Sequence, residues 1–500
     1  MTPSSAATST TGTTAETTVG RATDPRYAGF GACPEPRPFS LPWLCATLNV
    51  PVDRADASAG TISLAVYALE HTNQSATAQE PLFTTPGGPG YPGFANYGLW
   101  ALQKQMGEHH DIVTIDPRGT GHSGAIDCAD LQNDTTPFAS MSATQSAQLP
   151  IIVGACGATL GAASDRYGAV DRAADVEDVR KMLGYDTIDY YGGSFGSVDV
   201  QAYTGRYAAH LHAVVLDSGF EVTAGDADYG AFFGVSIPRA NLNVVALACS
   251  RDITCHKADP DPATTLADLV GLVRDHPING PKGPVSVPSS APDDFPGVNE
   301  ATLASLISGA DPVELVAAAD AARDGNPAPL LGMVQAPPGP SESLADDSIG
   351  DNMAGNCTDY DTPWDRSDPE DVRLRKLMAA EDALPDDAFE PFSKQAWFAN
   401  NPPDICIAWP APKRYEAVAP SGAHSAVPAL VLSGDMDRVI PTFVSKELLH
   451  TFTNATVLTV AGAGHQTLAF GNCAATIAAR FFETLTTGDA SCVEDPQASR

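Results

Sequence analysis

The feature that most constrains this chain is an alternation of short apolar runs with helical spacing, which stops midway and starts again. Residues 45–52, 61–70 and 81–85 are β-branched or apolar runs bounded by turn residues. Segments 111–116 (DIVTID), 187–191 (TIDYY) and 212–217 (HAVVLD) read as further strands, separated by helical spacing at 171–183 and 198–211. Strands alternating with helices predict a mostly parallel sheet covered on both faces. After Phe220 the alternation is lost. Helical spacing then recurs at 300–308, 312–324 and 327–333, joined by Pro-rich connectors, and in 276–296 Pro and Gly recur too often for regular structure. Strand signals resume at 428–433 (PALVLS) and 455–460 (ATVLTV), and a helix is expected over 473–485. The expected organisation is an α/β sheet domain in two parts, 28–221 and 426–500, split by a mainly helical insertion over 222–425. Residues 1–27, polar and rich in Ser, Thr and Ala, read as a disordered tail.

Charge and cysteine usage narrow the function. Lys plus Arg number 28 against 61 Asp plus Glu, a net charge of −33. Such a chain repels phosphate backbones and anionic lipid, which excludes nucleic acid and polybasic membrane docking as expected partners. No apolar run is read as approaching the roughly 20 residues of a membrane span. The 10 cysteines form an even set without a C-x-x-C pair, so disulfides rather than zinc are expected. Cys33/Cys45 and Cys249/Cys255 are close enough in sequence for local bridges. Disulfides imply a secreted or otherwise extracytoplasmic protein, although residues 1–21 show no apolar signal-peptide core. A monomer is expected. No H-E-x-x-H, P-loop or dinucleotide fingerprint is present, so neither metal nor cofactor is expected and side chains must carry the chemistry.

Strand 187–191 runs into Gly192-Gly193-Ser194-Phe195-Gly196 and then into helical spacing. A nucleophilic serine on a strand-to-helix turn needs small residues on either side, because the turn is tight and packs closely on its neighbours. A hydroxyl attacks only when a base takes its proton, and that base needs a carboxylate to fix its tautomer. Both groups lie downstream: strand 428–433 ends in Gly434-Asp435-Met436-Asp437, and strand 455–460 ends in Ala461-Gly462-Ala463-Gly464-His465. Asp437 is preferred over Asp435, which sits nearer the strand end and reads equally as a turn residue. Oxyanion donors are expected at the N–H of Gly88, in Pro86-Gly87-Gly88-Pro89-Gly90, and at that of Phe195. Asp116-Pro117-Arg118-Gly119-Thr120-Gly121-His122-Ser123-Gly124 reads as a turn in which Asp116 and Arg118 brace neighbouring loops.

With these motifs together, the chain resembles the secreted tripeptidyl aminopeptidases of the α/β-hydrolase superfamily, relatives of the proline iminopeptidases. The resemblance runs from about Cys33 to Cys492, with 300–333 similar to that family's cap helices and Cys406-Ile407-Ala408-Trp409-Pro410 to its Cys-x-x-Trp-Pro segment. It implies an α/β-hydrolase fold, a Ser194–His465–Asp437 triad, oxyanion donors at Gly88 and Phe195, and release of short N-terminal peptides. Three positions depart from the family. Phe195 stands where Tyr is frequent, Tyr91-Pro92-Gly93 interrupts a Gly-Gly-Ser-Gly continuation, and Ile440 stands where Thr is common. The mechanism survives these changes, whereas the substrate is less closely defined. An exopeptidase must also hold a substrate ammonium, for which Asp359 and Asp361 are candidates. The competing expectations are a secreted carboxylesterase or other acyl hydrolase with the same triad, and a non-catalytic binding protein on the same fold.

Overall fold

The computed structural model describes residues 24–33, 42–73, 75, 79–134, 138, 141, 143–222, 234–278, 297–334, 343–414, 416–418 and 424–496. Nine strands form one sheet: β1 (Gly31–Ala32), β2 (Leu44–Pro51), β3 (Thr61–Leu69), β4 (Leu82–Thr85), β5 (Ile112–Ile115), β6 (Ile188–Gly193), β7 (Leu211–Asp217), β8 (Ala429–Gly434) and β9 (Ala455–Val460). Their order is β1-β2-β3-β5-β4-β6-β7-β8-β9. Pairing is antiparallel from β1 through β3 to β5, and parallel from β5 through β4 onward. The parallel part puts the carboxyl ends of β4, β6, β7, β8 and β9 along one edge, where open α/β sheets bind their ligands.

Alternation within each strand builds two cores. Tyr190, Val214 and Val431 join one cluster with helices Ala169–Leu183 and Gly196–Tyr207. Tyr191, Val215 and Leu430 join the other, against helices Tyr97–Met106 and Cys473–Thr484. Near-continuous apolar strands are what a sheet buried on both faces requires. Each fully buried aliphatic or aromatic side chain removes apolar area worth about 1.5–3 kcal/mol from water.

The structure corrects one expectation and refines two others. The tail does not extend to residue 27: Pro25–Tyr27 is a 3-10 turn capped by Asp24, and Tyr27 is fully buried with its hydroxyl 2.5 Å from that of Tyr185. Tyr27 supplies the apolar anchor that a composition reading of the segment overlooks. The rest of the expected tail, 1–23, lies outside the described residues, as do residues 279–296 of the Pro/Gly-rich stretch. Second, a helix over Thr144–Ala163 has mean hydropathy 1.4 and the length of a bilayer span. Its uninterrupted stretch of aliphatic and small residues, 149–158, is bounded by Gln148 and Thr159 and falls short of a span. One face of it packs on the folded domain through Leu149 and Val153 and through the Cys128–Cys156 disulfide.

The third concerns the insertion, which is of two kinds. Helices Ile237–Arg251, Pro262–Asp275, Glu300–Gly309, Pro312–Arg323 and Ala328–Val334 enclose their own core around Leu266, Leu303 and Leu315. The later part, with Met353, Cys357, Trp397 and Trp409, packs into the core of the sheet domain. All ten cysteines are paired, as 33–45, 128–156, 249–255, 357–406 and 473–492.

Candidate active site

Ser194 lies between β6 and helix Gly196–Tyr207 with φ of +54°, a left-handed conformation unusual for a residue with a side chain. The glycines around it make this turn possible. A Cβ at Gly192 would collide with the carbonyl of Gly196, and one at Gly196 would lie 2.7 Å from the carbonyl of Pro86. The Ser194 amide donates to the Asp217 carbonyl at 2.8 Å, and the amides of Ser197 and Val198 continue the turn into the helix. The serine side chain is thereby left partly exposed at the carboxyl edge of the sheet.

His465 follows β9 and Asp437 follows β8. The imidazole Nδ1 donates to Asp437 Oδ2 at 2.9 Å. The other carboxylate oxygen accepts the amides of Val439 and Ile440, both at 2.8 Å, so the Asp437 side chain is fully buried and held in one orientation. With the proton on Nδ1, the imidazole keeps a lone pair on Nε2. Asp435 has a different role: it takes both terminal nitrogens of Arg251 and the amide of Gly462, tying the histidine loop to helix Ile237–Arg251.

The histidine loop and the serine turn share an anchor that the sequence did not single out. Asp217 ends β7 and Ser218 follows it. While the Asp217 carbonyl holds Ser194, its buried carboxylate accepts the amides of Thr467 and Leu468 and the hydroxyls of Thr467 and Tyr191. Ser218 Oγ accepts the amide of Gln466, itself at φ +62°. An acid at a strand end is a common turn residue, so nothing in the sequence marks this one.

The loop after β4 passes directly over Ser194: a Cβ at Gly87 would lie 3.0 Å from Ser194 Cβ and 3.5 Å from Gln466 Nε2. Next in the loop comes Gly88, at φ +110°. Among the described residues neither the Gly88 nor the Phe195 amide has a hydrogen-bond partner. The bracing turn is built from buried charge. Asp116 accepts the amides of Gly93 and His122 and the Tyr67 hydroxyl. Arg118 is fully buried, with two bonds to Asp175 at 2.6 and 2.7 Å, and it also donates to the Val52 and Arg166 carbonyls. His122 lies in this turn with its Nδ1 3.2 Å from the Tyr67 hydroxyl.

Asp359 and Asp361 are not equivalent. Both oxygens of Asp359 accept the Ala169 amide, at 3.0 and 2.9 Å, and cap helix Ala169–Leu183. Burial pushes its carboxyl up to about 7 despite the Arg172 guanidinium nearby. Asp361 is half-buried, and burial raises its pKa too, with Arg366 opposing. No group of three or more His, Cys, Asp or Glu side chains able to hold a metal occurs among the described residues.

Fold and site together define a serine hydrolase of the α/β-hydrolase class. Residues 81–234 match the family described as alpha/beta hydrolase fold, and residues 390–492 the family described as TAP-like protein. Over these two segments the chain is similar to α/β hydrolases and to TAP-like proteins. It is 26% identical over 443 residues to Serine protease Hip1 of Mycobacterium tuberculosis, covering 84% of this chain and 81% of that one. The Tripeptidyl aminopeptidase of Streptomyces coelicolor is 28% identical over 192 residues, 35% of each chain. Carboxylesterase B of M. tuberculosis is 26% identical over 462 residues, covering 86% of this chain and 81% of that one.

Proposed function

We propose that this protein is an extracytoplasmic serine exopeptidase that releases short peptides from a free amino terminus, with Ser194 as nucleophile, His465 as base and Asp437 as its orienting carboxylate. The observation that carries the reading is the 2.9 Å bond from His465 Nδ1 to Asp437, on a loop anchored by the same Asp217 that holds the Ser194 amide. In the first step Ser194 Oγ bonds to the scissile carbonyl carbon as its proton passes to His465 Nε2. The carbonyl π pair moves onto oxygen and is met by the N–H groups of Gly88 and Phe195. Collapse expels the amine, which takes the proton from the imidazolium, and water repeats the sequence to free the acid and restore the serine. Asp437 stabilises the imidazolium in both halves. The relatives named serine protease and tripeptidyl aminopeptidase support peptide bonds as substrate. Five disulfides support an oxidising compartment. The proposed domain division keeps the sheet domain in two parts, now starting at about residue 24, around an insertion over 222–425 that covers the catalytic edge.

A second reading, a carboxylesterase with the same triad, draws support from the long match to Carboxylesterase B. Assaying tripeptide arylamides, their N-acylated forms and short-chain aryl esters separates the two. The exopeptidase reading expects turnover of the free-amine arylamides and loss of it on N-acylation. Ester turnover with no release from any arylamide would overturn it.

A further inference from the structure

The helix Ile349–Asp359 belongs to the insertion, yet it touches both segments that carry the oxyanion donors. Its first contact is with the loop after β4. Asn352 Nδ2 donates to the Pro89 carbonyl at 2.7 Å, and the Ser348 amide donates to the Gly90 carbonyl at 3.0 Å. These are the first two carbonyls after Gly88 itself. The residues on both sides are small where they meet. A Cβ at Gly90 would lie 2.7 Å from the Ser348 carbonyl, and one at Gly355 would lie 2.7 Å from the Pro89 ring. A side chain at either position would lift the helix off the loop.

The second contact is with Phe195. Asp351, fully buried, binds Arg172 at 2.8 Å, and the Arg172 guanidinium lies 5.7 Å from the centre of the Phe195 ring. Tyr360, the C-cap of the same helix, packs edge-on to that ring at 6.0 Å. The helix is itself fixed at both ends. At its start, Ser348 Oγ bonds Ile126 and Gln132 bonds the Asp347 carbonyl and the Ile349 amide; near its end, Cys357 is bridged to Cys406.

We propose that Asn352 is a positioning residue for the oxyanion hole, acting through the Pro89 carbonyl to fix where the Gly88 N–H points. The inference rests on the assignment of Gly88 as an oxyanion donor in the serine-hydrolase reading above. Its physical basis is that the prolines at 86 and 89 stiffen only their own bonds, while Gly87 and Gly88, the latter at φ +110°, have no side chain to set the direction of the Gly88 N–H. An oxyanion donor is useful only if it is held in place before charge develops. A rigid helix carrying an amide side chain supplies what the loop sequence lacks. Catalytic competence thus depends on how the insertion is seated on the sheet domain.

The test uses the full-length protein with Asn352→Ala and the isosteric Asn352→Asp, which removes the donor without removing volume. Rates are normalised to serines titrated by a fluorophosphonate, so misfolded protein does not count as slow enzyme. The expected result is a fall in kcat of about 10- to 100-fold with KM within about twofold, since displacing one oxyanion donor weakens the transition state rather than substrate binding. Binding of a peptidyl boronic acid, whose tetrahedral adduct occupies the oxyanion hole, should weaken by a similar factor. A purely structural role for Asn352 would lower the titratable fraction or the Tm and leave per-site kcat and boronate affinity at wild-type values, and that result overturns the proposal. Ser194→Ala is measured alongside. If it stays active, the serine reading itself fails; if it is inert while both Asn352 variants are unimpaired, only the positioning role fails.

Discussion

At the scale of single residues, the site is a set of small groups held by buried carboxylates. Asp437 uses one oxygen for two backbone amides and the other for His465. Asp437→Asn keeps the volume but offers an N–H toward Nδ1, which favours the opposite tautomer and leaves Nε2 protonated. The expected loss is about 10⁴-fold in kcat with the fold intact, read from steady-state kinetics and circular dichroism. Gly192→Ala acts differently. The added methyl meets the Gly196 carbonyl across the serine turn, so the expected effect is on folding, about 1–3 kcal/mol, measured by urea denaturation. The motif residues Gly192, Ser194, Gly196 and His465 were legible because each sits at a strand end with a recognisable spacing. Asp217 and Asn352 were not. Their importance arises from residues 250 and 263 positions away, at Thr467 and Pro89, which only the folded chain brings near.

At the scale of elements, the insertion and the sheet domain meet around one buried guanidinium. Arg172 faces Asp199 of helix Gly196–Tyr207, and Asp351 and Asp359 of helix Ile349–Asp359. Burial raises all three carboxyls, Asp199 and Asp351 to about 6 and Asp359 to about 7, against an ordinary 3.8. A folded-state pKa above the unfolded value means the native protein binds the proton more tightly. The corresponding stability is present below about pH 4 and is lost as pH rises toward 7, at about 1.4 kcal/mol per pH unit for one such group. Asp359→Asn is expected to flatten this decline: its Tm relative to wild type should rise between pH 4.5 and 7.5, by calorimetry. A difference constant over that range would contradict the linkage. The helix is also tethered by Cys357–Cys406, and removing that bridge as a Ser pair should cost about 2–4 kcal/mol, visible as a lower denaturant midpoint.

For the whole molecule, the sheet was largely readable from sequence. Nearly every expected strand lies within a residue or two of an observed one, because a sheet buried on both faces demands apolar runs too regular to miss. Strand β1 was missed, as two exposed residues carry no such pattern. The division of the insertion was missed as well. Helical spacing states that a face is buried but not against what, and the later insertion helices bury theirs on the sheet domain. The net charge of −33 acts at this scale, and its field favours cationic over anionic substrate ends, more so at low salt.

The proposed reaction requires Ser194 to be the nucleophile of an acyl-enzyme. The most direct measurement is peptide mapping of the protein after reaction with a fluorophosphonate, on wild type and on Ser194→Ala. The prediction is one adduct per chain on the peptide containing Ser194, abolished together with hydrolytic activity in the variant. An adduct on another residue, or activity that survives the substitution, would contradict it.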